Sequence, residues 1–152
     1  MKYFMYKPLT VFFMATFLML FLNGCSKSAI EAAQLNFLQQ QFEENFLNKN
    51  FRVYLATDNG ADLTSQYTGY TFVLLKTTFN NGPMTAVKNA VTYNGTWSSN
   101  EDYSKLVISF PSSPAEFVFI NREWKFTKKS LPIMELAPWG TTEPKVLHME
   151  RF

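Results

Sequence analysis

The sequence predicts a mainly β protein: an antiparallel barrel of about eight strands preceded by one amphipathic α-helix. Three observations point there. Apolar residues recur at helical spacing through residues 29–48 and through no other stretch of comparable length. From residue 51 onward, short runs rich in Val, Phe, Tyr, Thr and Ile alternate with clusters of Gly, Asn, Ser and Pro. The first 24 residues form a leader that stands apart from both textures.

The leader explains itself by charge and length. Lys2 and Lys7 supply a positive start, residues 9–22 carry no charge, and Gly24 offers a small residue at a cleavage point. A membrane-spanning helix needs about 20 apolar residues, so residues 1–24 read as a secretory signal peptide. Without its two lysines, the excess of 14 Lys+Arg over 12 Asp+Glu disappears. A near-neutral domain with dispersed charge has no electrostatic footprint for nucleic acid. Lys128-Lys129 is the one adjacent basic pair, and it reads as a solvated strand end.

Cys25 is the only cysteine. It forbids an internal disulfide, and no Cys/His spacing for zinc exists. Its surroundings, Leu22-Asn23-Gly24-Cys25, resemble the lipobox of bacterial lipoprotein signals. The resemblance implies that Cys25 carries a covalent diacylglyceryl group and, after cleavage, an N-acyl chain. It also implies attachment to the cell envelope of a Gram-negative bacterium. Ser26 and Lys27 do not resemble an inner-membrane retention signal, which favours the outer membrane over the inner.

Residues 25–50 are read as anchor segment and helix. Ser28-Ala29-Ile30-Glu31 has the form of a capping box. Leu35, Leu38, Phe42 and Phe46 follow at spacings that line one helical face, flanked by Phe37 and Leu47. The opposite positions carry Glu rather than Lys, so packing against the following domain is favoured over lying on anionic lipid.

Residues 51–152 are read as the barrel domain. The candidate strands are 51–57, 68–78, 84–93, 96–99, 105–110, 115–120, 123–129, 132–137 and 145–151. They are separated by DNG, NNGP, NG, PSSP, INR and PWGTTEP breaks, which are turn chemistry. The stretch TAVKNAVTYNGTWSS reads as one long bulged strand kinked at Gly95. Merging two runs there gives about eight strands, and closure removes exposed edges. The motifs DNGADLT, YTGYTF, GTW, KLVISF, REWKF, LPIMEL and KVLHMERF look like those of small lipocalin-like domains of envelope lipoproteins. That resemblance implies a calycin-type barrel behind an N-terminal helix.

Catalytic chemistry finds little support. The lone His148 sits in the last predicted strand, and no G-x-S-x-G setting presents a serine. Asp58, Asn59 and Asp62 surround a Gly turn but lack the rhythm of a calcium loop. Glu101-Asp102 reads as a solvated loop. No catalytic residue and no metal or cofactor is expected.

The aromatics are the remaining signal. An eight-stranded barrel is just wide enough either to be filled by side chains or to hold one small ligand. Tyr70, Phe72, Trp97, Phe117 and Trp124 therefore either line an apolar ligand pocket or fill the barrel as core. Trp139, in a Pro-Trp-Gly loop, is a candidate contact residue or a plug. The function expected is a lipid-anchored envelope module that is not an enzyme. It captures a small apolar ligand or an envelope protein, the membrane being its fixed partner. The alternative is a structural or accessory lipoprotein with a filled barrel and no small-molecule ligand.

Radioactive fatty acid fed to cells is expected to label the wild type and leave Cys25→Ala unlabelled. Equal labelling of both excludes the anchor.

Overall fold

The structure, a computed structural model, describes residues 27–111, 114–129 and 131–152. Cys25 and the signal segment lie outside the described residues. Two compact units divide the chain, Met1–Asn36 and Phe37–Phe152. Among the described residues of the first, Lys27 and Glu31 form an exposed ion pair at 3.8 Å.

Helix α1 spans Lys27–Phe46. Ser28 lies within the helix, and Glu31 pairs with Lys27 one turn earlier. Phe42 and Phe46, four residues apart, are the buried positions, and Leu38 packs partly against the same core. Phe37 is 61% exposed. The helix ends when Asn48 takes a left-handed conformation (φ 56°) and donates its N–H to the Leu74 carbonyl at 2.8 Å. Asn tolerates that conformation better than most residues.

Nine strands follow: β1 (Asn50–Asp58), β2 (Ala61–Asp62), β3 (Thr71–Leu74), β4 (Asn81–Lys88), β5 (Val91–Ser99), β6 (Lys105–Ser109), β7 (Glu123–Lys128), β8 (Ile133–Pro138) and β9 (Lys145–Arg151). Each of β3 to β9 pairs antiparallel with the next, β3 also pairs with β1, and β9 returns to β1 from Phe51↔Arg151 to Asp58↔Lys145. Eight strands thus close a barrel, with β2 as a short arm folded back on β1 at the Asn59-Gly60 turn. Alternate residues point inward, as the pleat requires: Phe72 and Leu74, Met84 and Ala86, Leu106 and Ile108, Trp124 and Phe126, Met134 and Leu136, Leu147 and Met149 are all buried. A bulge between Val53 and Leu55 shifts the parity of β1, so Phe51 and Val53 face in before it and Ala56 after it.

Two predicted strands change identity. The stretch read as one long bulged strand is the β4–β5 hairpin, turning at Asn89 and Ala90 with φ of 50° and 64°. Two successive left-handed residues make the turn type that matches strand twist. Asn-Gly at 94–95 attracted the turn assignment, yet it lies inside β5. Residues 115–120 hold not a strand but a single helical turn, α2 (Phe117–Ile120), preceded by turn bonds from Phe117 N–H to Pro114 and from Val118 N–H to Ala115. Phe117, Phe119 and Ile120 are buried while Val118 is 70% exposed. Alternation cannot bury both Phe119 and Ile120, and the barrel end offers room for all three.

Gly95 shows how tightly the interior is closed. A β-carbon there would meet the Ser109 carbonyl at 2.4 Å and the Phe110 ring at 2.6 Å. Gly95→Ala is expected to cost about 1–3 kcal/mol, the range for overpacking a closed core, read as a lowered urea midpoint at unchanged slope.

Candidate functional site

The barrel interior holds groups of rings in contact, set among buried aliphatic side chains. At one end the last turns of α1 insert Phe42 and Phe46. Phe42 stacks on Tyr103 at 4.6 Å and lies 5.5 Å from Trp97, and Phe46 lies 5.7 Å from Phe126. At the other end α2 inserts Phe117. Its ring stands 4.9 Å from Tyr70, 5.0 Å from Phe110, 5.6 Å from Tyr93 and 5.8 Å from Phe72. Phe119 meets Trp124 at 5.5 Å. Tyr70, Phe72 and Phe117 thus come together as neighbours, Trp97 joins the α1 end, and Trp124 stands beside α2. All five are buried. Trp139 is separate: it is half-buried on the outside of the wall, with the Lys105 ammonium 5.3 Å from its ring.

The polar tips of these rings fasten the segments that close the ends. Trp97 Nε1 donates to the Leu75 carbonyl at 2.7 Å, and Trp124 Nε1 donates to the Ile120 carbonyl at 3.0 Å. The Tyr103 hydroxyl reaches the Phe79 carbonyl and Asn80 Oδ1 at 3.1 and 3.2 Å. Tyr67 donates to the Glu116 carbonyl at 2.5 Å and Tyr70 to Glu116 Oε1 at 3.0 Å. Asn121 completes the α2 closure by pairing both amide atoms with the Phe110 backbone.

Two hollows lie beside the segments that close the barrel ends. One of about 90 Å³ opens between α1 and the end of β7. Leu38, Phe42, Phe46 and Tyr103 form its apolar floor, and Gln41, Asn45 and Lys129 its polar lip. Burial pushes the Lys129 ammonium below the usual lysine range, with Asp102 opposing. Lys129 was indistinguishable from its neighbour in the sequence. Lys128 pairs with Glu135 at 3.1 Å, whereas the Lys129 ammonium turns over the Phe126 ring at 5.3 Å. A wider, solvent-open hollow borders Gln66, Ala115 and Glu116 at the α2 end.

The other sequence candidates are occupied locally. Asp58 pairs with Lys145 and accepts from Asn59 Nδ2, while Asp62 accepts the Thr64 N–H at 2.8 Å. The Thr64 hydrogen bonds hold the Asp62 carboxyl below its ordinary range, and those of Ser104 do the same for Asp102. His148 is half-buried on β9, in register with Leu55 and Glu135. Among the described residues, no three His, Cys, Asp or Glu side chains gather as a metal site.

Burial, the largest cause, raises the pKa of Tyr67, Tyr70 and Tyr103 above the usual tyrosine value, with Glu116 adding to the first two and Glu43 to the third. The folded state therefore holds these protons above about pH 10, where an unfolded tyrosine releases them. Fewer protons bound on unfolding means that stability falls as pH rises from there. Unfolding free energy measured in urea is expected to be flat near neutrality and to decline above about pH 10. Tyr70→Phe should make that decline shallower and cost about 1 kcal/mol at neutral pH for the lost hydrogen bond.

No family model matches the sequence, and no curated protein matches it. Among solved structures, the chain is similar to the crystal structure of a DUF4847 family protein from Bacteroides vulgatus ATCC 8482. The two share 17% identity with a TM-score of 0.52, over 71% of this chain and 95% of the other. At that identity the likeness is one of fold alone.

Proposed function

We propose that the chain is a lipid-anchored envelope binding module that captures a small apolar ligand at the barrel rim and not in its lumen. The observation that carries the reading is the filled interior: rings around Phe42 at one end, rings around Phe117 at the other, and buried aliphatic side chains such as Met84, Leu106, Met134 and Leu147 in the same core, in the space where a lumen ligand would sit. Close packing of this kind is the ordinary state of protein interiors. Tyr70, Phe72, Trp97, Phe117 and Trp124 then act as the rigid floor beneath the rims. Anchoring rests on the lipobox-like Leu22-Asn23-Gly24-Cys25. Acyl chains on Cys25 would hold the barrel at the membrane, each buried methylene contributing about 0.8 kcal/mol. The outer membrane of a Gram-negative cell is the address the residues after Cys25 favour.

The ring packing also favours a second reading, a structural or accessory lipoprotein that acts through surface contacts alone. Native mass spectrometry of the lipoprotein in lipid extracts separates the readings. Rim capture is expected to give the protein with its covalent acyl groups, plus an adduct that disappears on dilution. A one-to-one non-covalent adduct that survives dilution overturns rim capture in favour of a lumen site. Absence of any adduct at all concentrations leaves the accessory role.

A further inference from the structure

Two features of the α1 rim hollow give it a chemistry. Its floor is apolar and aromatic, set by Phe42, Phe46 and Tyr103: Phe42 stacks on Tyr103 at 4.6 Å and meets Phe46 tilted at 5.1 Å. Its lip carries the Lys129 ammonium, which Asp102 attracts only from beyond ion-pair distance. Among the described residues no carboxylate lies within 4.0 Å of the Lys129 ammonium, although Lys128 beside it and Lys76 near the helix are both paired, with Glu135 and Glu43. Glu43, the acidic side chain on the adjoining turn of α1, is thus engaged by Lys76 at 2.8 Å. The remaining lip groups, Gln41 and Asn45, are neutral amides joined by a 3.4 Å hydrogen bond. An ammonium at the mouth of an apolar recess favours an anion attached to an apolar body. Size narrows the class further. The recess holds about 90 Å³, less than the roughly 150 Å³ void that takes up benzene in another protein, so it admits only the end of a short chain.

We infer that this hollow is a binding site for small monocarboxylates with a short apolar tail, the tail on Phe42, Phe46 and Tyr103 and the carboxylate facing Lys129. The inference deepens the rim-capture reading and rests on it. The geometry requires no covalent step. The tail removes apolar ring surface from water, and the carboxylate supplies a direct ion-pair contact in place of the more distant attraction of Asp102. Selectivity follows from the lip: a neutral alcohol of the same length gains the floor but not the cation, and an alkylammonium meets like charge.

The test is equilibrium dialysis of radiolabelled hexanoate against the full lipoprotein held in lipid nanodiscs, with empty discs as blank. One saturable site is expected, with hexanol competing about tenfold or more weakly, since a hydrogen bond to a charged group is worth about 1.5–3 kcal/mol. Lys129→Met is expected to bring acid and alcohol to the same affinity, and Lys129→Arg to keep the preference. Leu38→Trp, which fills the recess from a half-exposed helix position, is expected to block uptake. Near-ultraviolet circular dichroism verifies that each variant keeps its ring packing. Equal competition by hexanol in the wild type, hexanoate binding unchanged in Lys129→Met, or no saturable binding overturns the site. A failed dialysis alongside a dilutable adduct in the native spectrum removes this site and leaves rim capture standing. Loss of both removes rim capture as well.

Discussion

The structure depends on filling a narrow closed barrel while giving every buried ring tip a partner. Eight strands enclose a space that side chains can just occupy, and aromatic residues occupy most volume per position. Tyr and Trp bring a polar atom with them, and burial leaves that atom costly unless it is bonded. Here the bonds run to segments outside the sheet. Trp97 holds the chain leaving β3, Tyr103 holds residues 79–80, and Trp124, Tyr67 and Tyr70 hold α2 at its two ends. The same side chains thus fill the lumen and lash down the pieces that shut it. Gly95 belongs to this constraint, because its missing β-carbon is the room that the Phe110 ring uses.

Under the proposed function, filling the lumen moves recognition outward. A barrel with an empty interior can bind by engulfing, whereas a filled one offers only its rims and outer wall. The rims differ in character. The α2 end is closed by short covalent neighbours of the barrel and ringed by tyrosine hydroxyls donating to Glu116. The α1 end is closed by a long helix whose inserted rings leave a recess beside them. Phe42 and Phe46 come from outside the strand order, so the recess is a seam between helix and sheet. Seams of this kind are where small hollows persist, because two separately built elements seldom match to the last methylene.

Much of the architecture was legible in the sequence, for a physical reason in each case. The period of Leu38, Phe42 and Phe46 located the helix face that packs, because a helix end inserted in a barrel must present rings on one side. Strands β1, β6, β7, β8 and β9 were legible because period-two burial leaves an alternating pattern between turn residues. Residues 115–120 misled because Phe-Val-Phe-Ile has the composition of a strand, and only tertiary context makes it a helical turn. The β4–β5 turn misled because Asn89-Ala90 does the work usually given to Asn-Gly, while a true Asn-Gly was needed inside β5 for a close approach. The rim recess was not legible at all. Lys129 is the second of two lysines, and what separates them is that Lys128 ends β7 and reaches Glu135, while Lys129 lies just past the strand and turns over the Phe126 ring.

A lipid tether changes what a small rim recess needs to achieve. A recess of about 90 Å³ touches few ligand atoms, and affinity is bounded by roughly 1.5 kcal/mol per atom even for the best small ligands. Tight retention is therefore outside its reach, whatever the quality of the Lys129 contact. Tethering compensates only where the ligand is itself concentrated at the membrane, because anchor and ligand then share a thin layer instead of a volume. Amphipathic carboxylates meet that condition: their tails partition to the bilayer surface while their head groups stay in water. A weak, fast-exchanging site on a membrane-bound barrel suits such molecules better than a deep lumen, which would have to open before releasing them. Under the proposed anchoring, the filled barrel serves as the rigid support that holds Phe42, Phe46 and Tyr103 in place beneath that exchange.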